Sequence, residues 1–388
     1  MNHQSQRMLE VSNPVIPDVA ALIRDNPGTI SLGQGVVHYK PPPQVFEEVA
    51  SFGDEVSHHH YQSATGLPAL HEMLRDKLAS ENGIVLADDQ ELVVTAGSNL
   101  GFYHAIMSVC DPGDEVILMS PYFFNHEMAV CMANCRPVLV STDSNYQLQL
   151  DAIRASLSDR TRAIVTVSPN NPAGVVYAPE AIAEVNRLCV EHDLYHFCDE
   201  AYEYFTYEGA RHYSAGSAAE SRMHTVSMFS FSKSFALASW RVGYMVWPRH
   251  LLRAFEKSQD TILICPPVVS QIAAIGALKA GSAYVDERIE TLARVRRMCL
   301  ERLDELGSNC FVPEASGAFY LLARLDCDLG SMHLVERLIT EFGVAVLPGT
   351  GFGLEDDCRI RIAYGALEPH TVAEGTDRLV KGLKSIIQ

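Results

Sequence analysis

The sequence is short of basic residues and contains no cluster of them. Its 388 residues include 30 lysines and arginines against 48 aspartates and glutamates, which gives a formal net charge of −18. Polyanions and anionic membrane surfaces bind proteins through clustered positive charge. We therefore expect a small-molecule ligand, with neither nucleic acid nor a membrane as a partner.

An uninterrupted apolar stretch that could act as a signal peptide or a membrane span is also missing. The first 17 residues, MNHQSQRMLEVSNPVIP, are of mixed polarity, and the most apolar later segment, residues 261–281, is broken by Pro266, Pro267, Gln271 and Lys279. This pattern is typical of a cytoplasmic protein.

No two of the ten cysteines have the CxxC spacing of a redox or zinc motif. Scattered cysteines of this kind are typically reduced and buried. Cys131 and Cys135 could share a helical face, but no histidine lies at ligand spacing from them. The run His58, His59 and His60 cannot turn three adjacent side chains toward one ion from regular structure. We predict no metal site.

What the sequence does contain is an alternation of buried strands and helices. With 47% hydrophobic and 20% charged residues, a chain of this length is expected to form two domains. Apolar runs predict strands, and segments with helical periodicity lie between them. The predicted strands are 91–95, 115–119, 162–168, 194–199 and 224–232, and the predicted helices are 100–110 and 179–192.

This alternation predicts an α/β fold around a mostly parallel sheet, covered on both faces and binding its ligand at the carboxyl ends of the strands. A long helical pattern at about 283–306 predicts a link to a smaller α+β domain. We expect a large domain over residues 45–285 and a small domain formed by residues 1–44 and 286–388.

Two polar turns follow predicted strands. TAGSN (95–99) stands between a strand and a helix, so its amides can hold a phosphate with help from the helix dipole. In SPNNPAG (168–174) two prolines restrict the backbone, which orients Asn171 toward a ligand. Taken alone, TAGSN is equally compatible with an ordinary turn, and SPNNPAG is more often one.

Two further motifs place charge at strand ends. In FCDEAY (197–202), Asp199 closes an apolar strand and needs a buried cationic partner, such as a protonated pyridine nitrogen, and Tyr202 can reach a nearby phenolic oxygen. A helix cap or an ion pair is the alternative.

In MFSFSKSFALASWRVGY (228–244), burial would lower the pKa of Lys233 and make its amine able to form a Schiff base with an aldehyde. Ser230 and Arg241 can bind a phosphate. A strand-end lysine alone is more often a surface residue. The order and spacing of the motifs, all at one end of one sheet, favour a shared site.

Together these motifs resemble the class I and II aminotransferases, which are pyridoxal-phosphate enzymes of fold type I. The resemblance covers about residue 30 to the C-terminus, and SLGQGVVHYKPP (31–42) is similar to the aromatic, methionine and kynurenine transaminases. It implies pyridoxal 5'-phosphate as cofactor, pyridoxamine phosphate as its intermediate form, and a homodimer with shared active sites.

The resemblance also implies roles for individual residues. Lys233 would carry the Schiff base and move the proton, Asp199 would pair with the pyridine nitrogen, and Asn171 and Tyr202 would contact the 3-oxygen. Phe123 would lie over the ring, and Tyr61 would reach the phosphate of the neighbouring subunit. The remaining phosphate ligands would be Gly97, Ser98, Asn99, Ser230 and Arg241.

For the substrate, the resemblance implies that Arg361 clamps the α-carboxylate, with Arg359 as the register alternative, and that Gly35 and Asn171 line the same pocket. Bacterial aspartate aminotransferases often carry a lysine where this chain has Asn99, so aspartate is disfavoured. Tyr39, Phe123 and Phe124 could form a pocket for aromatic or large neutral side chains. Glutamate or 2-oxoglutarate is expected as the other partner.

The expected reaction is transamination between an L-amino acid and a 2-oxo acid with ping-pong kinetics. An elimination, a γ-displacement or a cyclisation on the same cofactor is the alternative, because these reactions share the lysine, aspartate and arginine. A remote alternative is a non-catalytic ligand-sensing domain, which the intact Lys233 and the missing basic N-terminal module disfavour.

Overall fold

The computed structural model describes residues 4–387. The helices are α1 (Gln6–Glu10), α2 (Val15–Asp25), α3 (Pro43–Ala50), α4 (Pro68–Glu81), α5 (Ser98–Val109), α6 (Phe124–Met132), α7 (Leu150–Ala155), α8 (Pro179–His192), α9 (Leu252–Ile262), α10 (Val268–Asp304), α11 (Ser331–Phe342) and α12 (Pro369–Ile387). The strands are β1 (Ile30–Ser31), β2 (Gln90–Thr95), β3 (Glu115–Ser120), β4 (Arg136–Ser141), β5 (Thr161–Val167), β6 (Tyr195–Asp199), β7 (Thr225–Ser230), β8 (Gly243–Pro248), β9 (Cys310–Phe311), β10 (Tyr320–Leu325), β11 (Val344–Ala345), β12 (Leu347–Pro348) and β13 (Cys358–Ala363).

A seven-stranded sheet with the order β2-β8-β7-β6-β5-β3-β4 forms the centre of the molecule. Strands β3 to β7 pair in parallel, whereas β8 runs antiparallel to both β2 and β7. The prediction of a mostly parallel α/β sheet is therefore confirmed. The carboxyl ends of β2, β3, β5, β6 and β7 lie along one edge, which is where sheets of this kind bind ligands.

Helices cover both faces of this sheet, as the alternation of side chains along a strand requires. In β2, Val93 packs into a cluster with Phe102 of α5 and Phe255 of α9. Its neighbours Leu92 and Val94 point the other way and pack against α4 and α10. At the far end of the sheet, α7 and α8 pack against residues of β3, β4 and β5.

The C-terminal part of the chain forms an antiparallel sheet with the order β12-β13-β10-β9. A separate two-stranded pair joins β1 to β11, matching Ile30 with Val344. The N-terminal segment is thus hydrogen-bonded to the C-terminal region. The bounds of 45–285 for a large domain, with 1–44 and 286–388 as a small one, stay a prediction.

The predicted helix at 283–306 is part of a longer element, α10, that starts at Val268. Its backbone leaves helical geometry at Gly281, where φ is 69° and ψ is −175°, so two helices meet there. By length and composition α10 could cross a membrane, but half of its most apolar window is buried inside the protein. Ala273, Ala274 and Ala277 pack in the core, which explains the apolar composition.

Candidate active site

A cavity of about 260 Å³ opens at the carboxyl edge of the central sheet. Eleven of the fourteen residues predicted for the site line it: Gly35, Ser98, Asn99, Phe123, Asn171, Asp199, Tyr202, Ser230, Lys233, Arg241 and Arg361. The sheet therefore gathers side chains that are up to several hundred residues apart in the sequence.

Lys233 follows β7 and reaches into this cavity. Its Nζ donates a hydrogen bond of 2.5 Å to the carbonyl of Gly35. Burial, together with the positive charge of Arg361, lowers the pKa of Lys233 to about 8, although Asp199 opposes the shift. A much larger fraction of the amine is neutral near pH 8 than for an ordinary lysine, and a neutral amine can attack an aldehyde.

Asp199 ends β6 with its carboxylate buried against the cavity. Oδ1 accepts a hydrogen bond of 3.1 Å from the amide of Ala201, and Oδ2 lies 3.2 Å from Nε2 of His126. His126 is itself buried and stacks on Phe102, with 4.1 Å between ring centroids. The carboxylate is therefore held in one orientation and can pair with a cationic ring nitrogen.

Sequence reasoning missed His126. The only local signal was its position three residues after Phe123, and nothing in that spacing indicated a contact with an aspartate more than seventy residues away. Tyr320 was missed for the same reason. Its hydroxyl lies 2.6 Å from that of Tyr202, and burial raises the pKa of Tyr202.

Arg361 is 2% exposed and lies in the middle of β13. Its Nη1 donates to Oδ1 of Asn171 at 2.9 Å and its Nη2 to the carbonyl of Gly33 at 2.7 Å, while its Nε has no hydrogen-bond partner within residues 4–387. The Tyr320 ring lies 4.5 Å from its guanidinium carbon. A buried guanidinium of this kind suits a ligand carboxylate, which it can bind in a bidentate manner.

Arg359, the register alternative, lies two residues earlier on β13 and lines a different cavity. There its side chain pairs with Asp357, with 2.6 Å between Nε and Oδ1. Only Arg361 lines the cavity that contains Lys233.

The turn before α5 forms a cradle suited to a phosphate. Gly97 has φ 82° and ψ 159°, and a Cβ atom there would lie 2.4 Å from Nη2 of Arg241. The first amides of α5 have no acceptor within the helix, and the buried hydroxyl of Ser98 has no partner within residues 4–387. Free amides, a helix dipole and a guanidinium together suit a dianion.

Aromatic side chains form one wall of the cavity. Phe123 lies 5.2 Å from the His126 ring and 5.0 Å from the Phe124 ring, measured between centroids. Phe124 in turn lies 6.0 Å from Phe352, whose ring is 4.9 Å from the guanidinium carbon of Arg361. Phe123 and Phe124 line the cavity, and the rings of His126 and Phe352, which do not, extend this series toward Asp199 and Arg361.

Three predicted site residues do not line the cavity of this single chain. Gly97 lies behind the phosphate cradle and leaves room for Arg241. The hydroxyl of Tyr39 donates to the backbone carbonyls of Ser234 and Lys233, at 3.1 and 3.3 Å, so it supports the lysine from behind. Tyr61 is on the surface, with 78% of its area exposed.

Within residues 4–387 the structure shows no group of three or more His, Cys, Asp or Glu side chains arranged to hold a metal ion. The cysteines of this part of the chain are free thiols. Cys131 donates to Oε1 of Glu127 at 3.2 Å, and His58 and His59 pack on Phe52.

The site as a whole fits a phosphorylated pyridine aldehyde. The cradle at α5 matches the phosphate, the Asp199 carboxylate matches a protonated pyridine nitrogen, and the amine of Lys233 matches the aldehyde. Arg361 remains for the carboxylate of a second ligand.

Comparison with known proteins identifies the family to which the chain belongs. Residues 27–379 match the family model for aminotransferase class I and II. The chain is 31% identical to aromatic aminotransferase ISS1 of Arabidopsis thaliana, over 99% of this chain and 97% of that one. It is 32% identical to an aspartate aminotransferase of Pyrococcus abyssi, over 95% and 94% of the two chains.

Solved structures agree with this assignment. The crystal structure of the aromatic aminotransferase of Pyrococcus horikoshii superimposes with a TM-score of 0.87 at 32% identity, covering 95% of this chain and 99% of that one. These relatives favour transamination over elimination, displacement, cyclisation or ligand sensing. The chain belongs to the class I and II aminotransferases, a family that uses pyridoxal 5'-phosphate, and it is an aminotransferase.

Proposed function

We propose that this enzyme transfers the amino group of an aromatic or other large neutral L-amino acid to a 2-oxo acid, with pyridoxal 5'-phosphate held by the residues of the cavity. The observation that carries the proposal is that Lys233, Asp199 and Arg361 line one cavity. They provide an amine for an aldehyde, a carboxylate for a pyridine nitrogen and a guanidinium for a carboxylate.

Each part of the cofactor has a matching group in the cavity. The amides of Ser98 and Asn99, with Ser230 and Arg241, would bind the phosphate beside Gly97. Asp199, oriented by His126, would hold the pyridine nitrogen in its protonated form, and Phe123 would contact the ring. Tyr202 and the amide nitrogen of Asn171 would donate to the 3-oxygen.

When bound, the cofactor supplies an aldehyde and a ring that accepts the electrons of the substrate Cα–H bond. Arg361 and Asn171 hold the α-carboxylate, which places Cα near Nζ of Lys233. The neutral Nζ takes the Cα proton as general base and returns it as general acid. Because the amino acid must leave as an oxo acid before the acceptor binds, ping-pong kinetics follow.

The donor class is inferred from the substrate end of the cavity. Its wall includes Phe123 and Phe124, and the side chain of residue 99 is a neutral asparagine rather than a cation. Among the described residues that line the cavity, the cations are Lys233, Arg241 and Arg361, each of which has a role already. A distal carboxylate would therefore lack a partner from this subunit. The aromatic aminotransferase among the relatives supports this assignment.

The test is an absorbance spectrum of the purified enzyme, repeated with single amino acids and no acceptor. Phenylalanine, tyrosine, tryptophan or methionine should convert the cofactor to its amino form with release of one equivalent of oxo acid, and aspartate should react poorly. Release of pyruvate or ammonia without the amino form would reject transamination. A response to aspartate alone would reject the donor class. Lys233→Ala is the control and should show no conversion.

We further propose that the enzyme is a cytoplasmic homodimer in which Tyr61 reaches the phosphate of the partner. The exposure of Tyr61 supports a dimer, and so do its surroundings. The backbone amide of Gln62 donates to Sγ of Cys265. This hydrogen bond brings Tyr61 and Gln62 near three exposed apolar residues, Ile262, Leu263 and Ile264. An exposed apolar patch of this kind is typical of an interface.

A further inference from the structure

Ile16 and Asn125 line the cavity without a part in the roles assigned above, and Phe124 of the aromatic wall precedes Asn125 in the chain. Ile16 belongs to α2 and is 44% exposed, so it marks the outer end of the cavity. Phe124 and Asn125 begin α6. All three line the same cavity as Lys233 and Arg361.

The first turn of α6 is well supported, so Asn125 is held in place. Phe124 packs between Phe123 and Phe352. The N-terminal segment ties down the rest of the helix, because Ser12 donates to Oε2 of Glu127 at 2.8 Å and Arg7 donates to the carbonyl of Met132 at 3.2 Å. A group on a supported helix can select a ligand better than one on a loose loop.

The side-chain amide of Asn125 makes no hydrogen bond with any other part of residues 4–387. It is partly buried and lines the same cavity as Phe123 and Phe124. An amide offers two donor hydrogens and an acceptor oxygen. The Asn125 amide is not fully buried, so a ligand that displaces water from it must supply a hydrogen bond or leave it without a partner.

The charges of the cavity restrict what such a ligand can be. No ionisable residue among the lining side chains of residues 4–387 is left for a charged substrate end, because Asp199, Lys233, Arg241 and Arg361 have other roles. The distal group should therefore be neutral. The aromatic wall of Phe123 and Phe124, together with the unpartnered amide of Asn125, matches an aromatic ring that carries a polar tip, as in a phenol.

We propose that Asn125 is a specificity-determining residue that hydrogen-bonds the hydroxyl of a 4-hydroxyphenyl side chain, so that tyrosine is preferred to phenylalanine. This inference rests on the proposed function, since it takes the side-chain end of the cavity to be occupied by the donor amino acid. Discrimination arises because phenylalanine leaves the amide without a partner.

The test compares kcat/KM for tyrosine and for phenylalanine in the wild-type holoenzyme and in Asn125→Leu and Asn125→Ala. The ratio of tyrosine to phenylalanine should fall by about 3- to 10-fold in both variants, the range expected for one neutral hydrogen bond. Asn125→Asp keeps an acceptor for the phenol and should retain the ratio. Asn145→Leu, in an exposed turn away from the cavity, is the matched control.

A binding measurement separates this inference from the proposed function. Because 3-(4-hydroxyphenyl)propionate and 3-phenylpropionate lack the amine, they bind without reacting. The wild type should bind the hydroxylated acid more tightly, and Asn125→Leu should remove that difference. Equal ratios of kcat/KM for tyrosine to phenylalanine in the wild type, Asn125→Leu and Asn125→Ala would overturn the role of Asn125. Failure of the wild type to transaminate either amino acid would overturn the proposed donor class, while the two acids would still test Asn125.

Discussion

At the scale of single residues, the site depends on charged groups taken out of water and given defined partners. Arg361 is buried and held by Asn171 and Gly33. Asp199 is oriented by His126, and Nζ of Lys233 donates to the neutral carbonyl of Gly35. Because Lys233 is buried and Arg361 adds a positive charge nearby, its pKa falls to about 8, which connects its reactivity to the stability of the protein.

The lowered pKa of Lys233 predicts a pH dependence of stability in the cofactor-free enzyme. Between pH 8 and 10.5 the unfolded lysine is protonated and the folded one is neutral, so the unfolded state binds more protons and stability rises with pH. The rise attributable to this group is at most about 3 kcal/mol. Below pH 8 both states are protonated and the contribution is constant.

Denaturant unfolding of the cofactor-free wild type and of Lys233→Met at several pH values measures this effect. Other groups titrate in the same range, so the difference between the two proteins is the relevant quantity. The wild type should gain stability relative to the variant as pH rises from 8 to 10.5. A difference that does not change with pH would show that the lysine is not desolvated.

At the scale of single elements, two helix starts contribute to the cavity. The turn before α5 provides the phosphate cradle, and the start of α6 provides Phe123, Phe124 and Asn125, followed directly by His126, which contacts Asp199. Both helices follow strands of the central sheet, β2 and β3, at its carboxyl edge. The sequence indicated the first of these only in combination with the other motifs, through a glycine between a strand and a helix, whereas the second has only an aromatic pair as a signal.

Gly97→Ala tests the cradle. The backbone of Gly97 is in a region open almost only to glycine, and the added Cβ would lie 2.4 Å from Arg241. We expect a loss of about 1–3 kcal/mol in stability and, in addition, weaker binding of pyridoxal phosphate, because Arg241 must move.

Gly113→Ala is the matched control, since Gly113 also has a positive φ, 94°, but no atom within 4 Å of the added Cβ. It should lose stability and keep its cofactor affinity, as measured by fluorescence titration of the cofactor-free protein. Equal affinities in both variants would mean that the contact between Gly97 and Arg241 does not shape the phosphate site.

At the scale of the whole molecule, the N-terminal segment connects distant parts of the chain. It pairs through β1 with β11, places Ile16 in the cavity and carries Gly35, whose carbonyl accepts from Lys233. The surface around Tyr61 is left exposed and apolar. A site shared between two subunits, as proposed, can be tested by mixing subunits that carry different defects.

Hybrid dimers of Lys233→Ala and Tyr61→Ala subunits should regain one complete site. If Tyr61 serves the partner, one site of the hybrid carries both substitutions and the other carries neither. That second site should bind pyridoxal phosphate with wild-type affinity and turn over at the wild-type rate, giving about half of the wild-type activity. If Tyr61 serves its own subunit, each site of the hybrid keeps one defect and no wild-type site appears.

The sequence by itself determined the class of fold and predicted most of the residues that line the cavity with Lys233, because these depend on local patterns. Buried runs that alternate with helices predict the sheet, and the residues after strand ends, such as Asp199 and Lys233, are then placed at one edge whatever the detailed packing. The resemblance of these motifs to the class I and II aminotransferases, a family that the comparisons confirm, predicted the reaction type.

Only the tertiary structure decided which side chains meet across long sequence separations. The reversed direction of β8, the contact of His126 with Asp199 and the place of Tyr39 behind Lys233 have no local signature. Arg359 and Arg361 are the same residue type two positions apart, yet only Arg361 lines the cavity with Lys233. The physical reason is that strand order and packing, rather than residue type, determine which buried groups become neighbours.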